Sequence, residues 1–173
     1  MFEEEILLGN TERSIALETR KGRSIRNVVA PEPGEQAHRK YAVIRKKFGQ
    51  TWTNRTEPCG GYNCYGMVFA TRRTAIYEDD QIPDILADDG YRQIPEHEVR
   101  PGDIVLYRDG GLGLLHVALV LRHKEGVGPT PVPFALSKWN DISGEDEHNV
   151  RHHIWPKPEY DVVVEFWTER PST

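Results

Sequence analysis

Apolar positions along this chain change their period part-way through. Before residue 100 they recur at spacings of three and four; after it they alternate or run together. Tyr41, Ile44 and Phe48 predict a helix over 36–48, entered through the breaker Pro31-Glu32-Pro33-Gly34 and closed near Gly49. Upstream the chain is polar, apart from the patch Ile6 to Leu8 and a β-like run from Ile25 to Ala30. The Thr-, Asn-, Pro- and Gly-dense stretch from Thr51 to Tyr62 reads as a loop. From Cys64 the pattern is helical again, with Met67, Val68, Thr71 and Ala75 on one face, and a short helix follows from Ile82 to Ala87, ended by Asp88-Asp89-Gly90. Five strands are then expected, over 104–108, 115–122, 134–139, 150–155 and 162–168. Helices first and antiparallel strands afterwards define an α+β class.

Composition narrows the function. With 173 residues, 38% of them hydrophobic and 28% charged, the chain fits one domain with a small extension. A net charge of -5 and a pI of about 5.8 argue against an electrostatic nucleic-acid surface. The basic run Arg39, Lys40, Arg45, Lys46 and Lys47 is read as a solvated helix face. No stretch has the roughly 20 apolar residues of a membrane span. The acidic start Met1-Phe2-Glu3-Glu4-Glu5 lacks the features of a Sec signal peptide, so cytoplasmic synthesis is expected, with another export route if the protein acts outside. Two cysteines do not make a disulfide framework.

The candidate chemistry is a thiol paired with an imidazole. Cys64 is expected at the first turn of its helix, where free N–H groups and the helix dipole favour a thiolate and can hold an oxyanion. Asn63 is expected to cap the helix or to add a donor, Gly60 and Gly61 to let backbone and substrate approach closely, and Gly66 to leave room beside the sulfur. His116 is the one polar side chain in the run from Leu115 to Leu121, and it shares its face with the small Ala118. A third polar group would orient the imidazole; His148 is ranked first and Asn140 second. Cys59 is read as exposed or as a redox partner. Cys59 and Cys64 at a spacing of five make a weak metal signal, so no metal and no cofactor are expected.

Three blocks carry a family likeness: Asn63-Cys64-Tyr65-Gly66-Met67-Val68, then Arg100-Pro101-Gly102-Asp103-Ile104-Val105-Leu106-Tyr107, then His116-Val117-Ala118-Leu119-Val120. Together they resemble the NlpC/P60-type cysteine peptidases, a papain-like, CHAP-related superfamily. The likeness covers residues 58 to 155 and departs from the family pattern at Asn63, Tyr65 and Ala118. It implies a papain-like fold with helices packed on an antiparallel β-sheet, a catalytic core over 58–173 and an N-terminal extension with one helix over 1–57. It implies Cys64 as nucleophile, His116 as base and His148 as third member, with Tyr62, Asn63 and Tyr65 around the oxyanion site and cleft. Ser137-Lys138-Trp139 and Gly144-Glu145 are read as shaping that cleft. The implied activity is amide hydrolysis through a thioester, on peptidoglycan stem peptides, as in a secreted effector or phage-type lytic enzyme with an immunity or inhibitor protein as partner. The competing readings are a cytoplasmic isopeptidase or amidase acting on protein conjugates or small amides, and a non-catalytic binding domain of the same fold.

Overall fold

A computed structural model describes residues 13–110, 113–125, 131–155 and 161–172. The patch at Ile6 to Leu8 lies outside them. The described chain is α+β. It runs α1 (Glu35–Phe48), β1 (Trp52–Asn54), α2 (Cys64–Phe69), α3 (Ile82–Asp88), β2 (Arg92–Ile94), β3 (Ile104–Asp109), β4 (Gly113–Lys124), β5 (Val132–Lys138), β6 (Glu145–Asn149) and β7 (Val162–Thr168). The strands form one seven-stranded antiparallel sheet in the order β1-β6-β5-β4-β3-β7-β2. No described helix is long and apolar enough to cross a membrane.

Side-chain alternation gives the sheet two buried faces. Ile104, Leu106 and Val117 meet α2 and α3, in a cluster with Ile82, Ile85 and Leu86. Val105, Tyr107, Ala118, Val120, Ala135 and Phe166 form the core of the other face. The helix α1 carries Glu35 in its first turn and Arg45, Lys46 and Lys47 in its last, which complements its dipole, and Tyr41 is the residue it buries. Tyr41 donates to Asp146 on β6 (2.7 Å), and β1 pairs with β6, so part of the 1–57 segment is built into the sheet.

Three expectations are corrected. The helix from Cys64 stops at Phe69, before Thr71 and Ala75, because Thr71 (φ 48°) and Arg72 (φ 66°) take left-handed backbone. That conformation is unfavourable for residues with a Cβ. At Arg72 it is offset by a two-pronged contact to Glu145 (2.6 and 3.0 Å) and by the Arg72 amide donating to the Gly66 carbonyl. Second, the Thr51–Tyr62 loop contains β1, and Arg92–Ile94 adds an edge strand; both have three residues, too short for a period to show. Third, the strand expected at Val150–Trp155 lies earlier, at Glu145–Asn149. Its sequence Glu-Asp-Glu-His-Asn carries no apolar signal, yet its first four residues are at most 3% exposed. The β-like run over 25–30 makes only isolated bridges, Val28 to Ala75 and Ala30 to Gly61.

Gly66 marks the tightest contact around α2. A Cβ there would lie 1.8 Å from the Thr74 carbonyl oxygen, so the glycine seats α2 on the segment after it rather than making room beside the sulfur. Gly66→Ala should cost about 3 kcal/mol or more, because backbone must shift to admit the methyl group. Denaturant unfolding checks this, and a loss under about 1 kcal/mol would contradict so rigid a seat.

Candidate active site

Cys64 opens α2 behind a well-made cap. The Asn63 side-chain oxygen accepts from Gly66 (3.0 Å) and from the Ile76 amide (3.1 Å), while its side-chain nitrogen donates to the Ile76 carbonyl (2.6 Å). Asn63 is thus a structural pin with both ends engaged, and its expected role as an oxyanion donor is withdrawn. Tyr62 and Tyr65 are buried as well: Tyr62 donates to Glu145 (2.7 Å), and Tyr65 reaches the Leu114 carbonyl at 3.5 Å.

The Cys64 side chain packs with the cluster around Val117, and the residue as a whole is partly exposed. Apolar surroundings push its thiol up to about 11, against the opposing pull of the Val117, Tyr65 and Cys64 backbone and of Lys138. The helix has only six residues, and its field does not overcome the burial. The expected resting thiolate is therefore a thiol.

The position of the sulfur follows from a break in the ladder. Along β4, pairing with β5 begins at Leu119, whereas pairing with β3 continues down to Gly113. The Val120 amide donates to the Asp103 carbonyl on the β3 side, so by alternation the Val117 amide faces the β5 side, where no ladder partner stands among the described residues. That amide favours the Cys64 thiolate. Cys64 therefore comes to the gap between β4 and β5 from the Val117 face.

His116 crosses the same gap on the opposite face. Its ring reaches from β4 to Ser137 on β5, with Nε2 2.9 Å from the serine Oγ. Ser137 in turn contacts His148 Nε2 on β6 (2.8 Å), and His148 Nδ1 meets the Asn149 carbonyl (2.7 Å). Trp139 stacks on the His116 ring at 5.1 Å and also contacts His148 at 4.6 Å. Tyr107 and Trp155 close the other sides, each at 5.7 Å. Burial first, and then the neighbouring His148, push the His116 imidazole down to about 3; burial pushes His148 down to about 4. Among the described residues no hydrogen bond joins the Cys64 sulfur to His116.

His148 therefore reaches His116 through a serine, and Asn140 does not reach it. The Asn140 side chain caps its own turn by accepting from the Ile142 amide (3.0 Å). The residues read as shaping a cleft are instead interior. Ser137 bridges the histidines. Lys138, fully buried, donates to the Cys59 and Ser143 carbonyls and lies 3.7 Å from the Cys59 sulfur. Glu145 holds Arg72, and a Cβ on Gly144 would lie 2.1 Å from the Thr56 carbonyl oxygen. Trp139 is 7% exposed, and its Nε1 has no acceptor among the described residues. Cys59, partly exposed, also meets the Tyr62 hydroxyl at 3.4 Å. No group of three or more metal-ligating side chains gathers among the described residues. A groove of about 620 Å3 lies over α1, lined by Tyr41, Arg45, Lys46, Glu57 and Pro58 among others, and holds none of the candidate catalytic residues.

Compared with known proteins, the chain matches no family model, no curated protein and no solved structure.

The buried imidazoles set an acid limit on the fold. Both are held below the ordinary 6.5, so the unfolded chain takes up protons that the native state refuses. Stability is complete above about pH 6.5 and falls as the pH drops towards 4. His148 alone accounts for about 3 kcal/mol by pH 4. Glu145, Glu147 and Asp103 join the loss from about pH 5 downward: burial raises their carboxyls, but Arg72 with Tyr62, Arg122 with Lys124, and Arg170 with Thr168 together outweigh it and hold them below the usual range. Denaturation midpoints should drop between pH 7 and pH 4.5 for the wild type and about half as far for His148→Asn, in which His116 still refuses its proton. A wild-type midpoint that stays flat would contradict buried, neutral histidines.

Proposed function

We propose that this protein is a cysteine hydrolase of amide bonds, with Cys64 as nucleophile and His116 as base. The observation that carries the reading is the gap between β4 and β5: the sulfur comes to it from one face and the His116 ring crosses it on the other. The backbone of Cys64 and Tyr65, already turned to favour a negative sulfur, would serve the oxyanion as well. Trp139 Nε1, a buried donor beside the base with no acceptor among the described residues, offers a further contact for a substrate carbonyl. His116 would take the thiol proton as sulfur attacks the carbonyl carbon. It would then return the proton to the leaving amine, and water would hydrolyse the thioester.

The pKa values set a condition on this chemistry. Moving a proton from a thiol near 11 to an imidazole near 3 costs on the order of 10 kcal/mol in the closed site. Substrate must therefore hydrate or widen the gap before reaction. The same cost is what favours the second reading, a domain of this architecture that binds without reacting.

The NlpC/P60 likeness, with its papain-like fold, supplies the proposed substrate, a peptidoglycan stem peptide. Purified sacculi incubated with wild type, Cys64→Ala and His116→Gln test the reading by the muropeptides released. Release by the wild type should fall about a thousand-fold or more in each variant. Release unchanged in Cys64→Ala overturns the assignment of the nucleophile. No release by any form removes the peptidoglycan substrate and leaves protein conjugates or small amides to be assayed with the same variants.

A further inference from the structure

The third member of the site stands two strands from the base. Val120 on β4 pairs with Ala135 on β5, and Ala135 pairs with His148 on β6. His116 lies four residues along β4 from Val120, so the two histidines are set apart by two strand spacings, about 9.5 Å, and by a further offset of about 13 Å along the strands. A β5 side chain on the same face between them can join them. Ser137, two residues along from Ala135, is that side chain.

The direction of each hydrogen bond follows from counting protons. The Asn149 carbonyl can only accept, so His148 Nδ1 carries a hydrogen. Buried and neutral, His148 has one N–H, which leaves its Nε2 as an acceptor. That acceptor takes the single O–H of Ser137. Toward His116 the serine oxygen has only a lone pair left, so His116 Nε2 must be the donor. A neutral His116 then holds a bare lone pair on Nδ1.

We infer that Ser137 is a positioning residue: it carries the polarity of the Asn149 carbonyl through His148 to His116 and fixes His116 as the Nε2–H tautomer. The base of the site is thereby one atom, His116 Nδ1. That catalytic consequence rests on the cysteine-hydrolase reading; the tautomer does not. Ser137 turns a histidine that could exist in two forms into one pre-set to accept a proton.

Long-range proton–nitrogen NMR correlations of the histidine side chains at neutral pH test this directly, because protonated and bare ring nitrogens resonate far apart. In the wild type, His116 should appear wholly as the Nε2–H form and His148 wholly as the Nδ1–H form. In Ser137→Ala, His148 should keep its form while His116 loses its single form and shows exchange between the two. An Nδ1–H His116 in the wild type overturns the inference, and so does an unaltered Nε2–H His116 in Ser137→Ala. If Ser137→Ala does not fold, Ser137→Cys, a weaker donor, is read in the same way, and the wild-type pattern is decisive by itself. The two readings fail separately. An Nε2–H His116 in a protein that releases no muropeptides removes only the peptidoglycan reading; an active protein with an Nδ1–H His116 removes only the role of Ser137.

Discussion

A strand of charged residues buried on both faces must find a partner for every polar atom, and the partners of β6 hold the rest of this molecule in place. Glu145 takes Arg72 at the end of α2 and Tyr62 just before it, so it grips the Cys64 helix from both sides. Asp146 takes Tyr41 from α1. Glu147, 1% exposed, is matched by Arg55 and Arg122. His148 takes Ser137 and, through it, His116. Leaving any one of these partners out would strand a buried charge or dipole, which costs more than the pair gains when whole. The strand is best understood as an organiser of position, with apolar contacts on the two faces of β3 and β4 supplying the main drive to fold.

The same strand couples fold to site. The left-handed backbone at Arg72 is held by Glu145, and it ends α2 after six residues. A short α2, pinned by Asn63 at its start and by the closeness of Gly66 to Thr74, delivers Cys64 to the open edge of β4. On the other face His148 delivers Ser137, and Ser137 aims the His116 ring. The two candidate catalytic side chains are thus set by adjacent residues of one buried strand pair, β5 and β6.

Much of this was legible in the sequence, and the exceptions have physical causes. The three helices, the central strands and the cap at Asn63 follow from periodicity and residue type, because packing on an apolar face is what those patterns record. His116 stood out as the lone polar residue of an apolar strand. The strand β6 was hidden because its burial is balanced by partners distant in sequence, Arg72, Arg55 and Tyr41, which no local pattern reveals. For the same reason Ser137 was read as shaping a cleft: its role depends on a register that puts Ala135 between Val120 and His148. The thiolate expected of Cys64 was a local argument about a helix start, and the apolar cluster around Val117 outweighs it. A hint was present in the lack of apolar residues from Ser143 to His148, flanked by buried Trp139 and Val150.

The central claim is that Cys64 and His116 act on each other across the gap in β4. The most direct test is the rate of Cys64 alkylation against pH, measured in a Cys59→Ser background with and without His116→Gln. The account predicts a slow reaction at neutral pH that depends on the imidazole, so that His116→Gln slows it about tenfold or more, and the two curves converge as the pH nears the thiol's own high value. Superimposable curves would contradict it, and Cys64 would then be a packed thiol beside an unrelated histidine network.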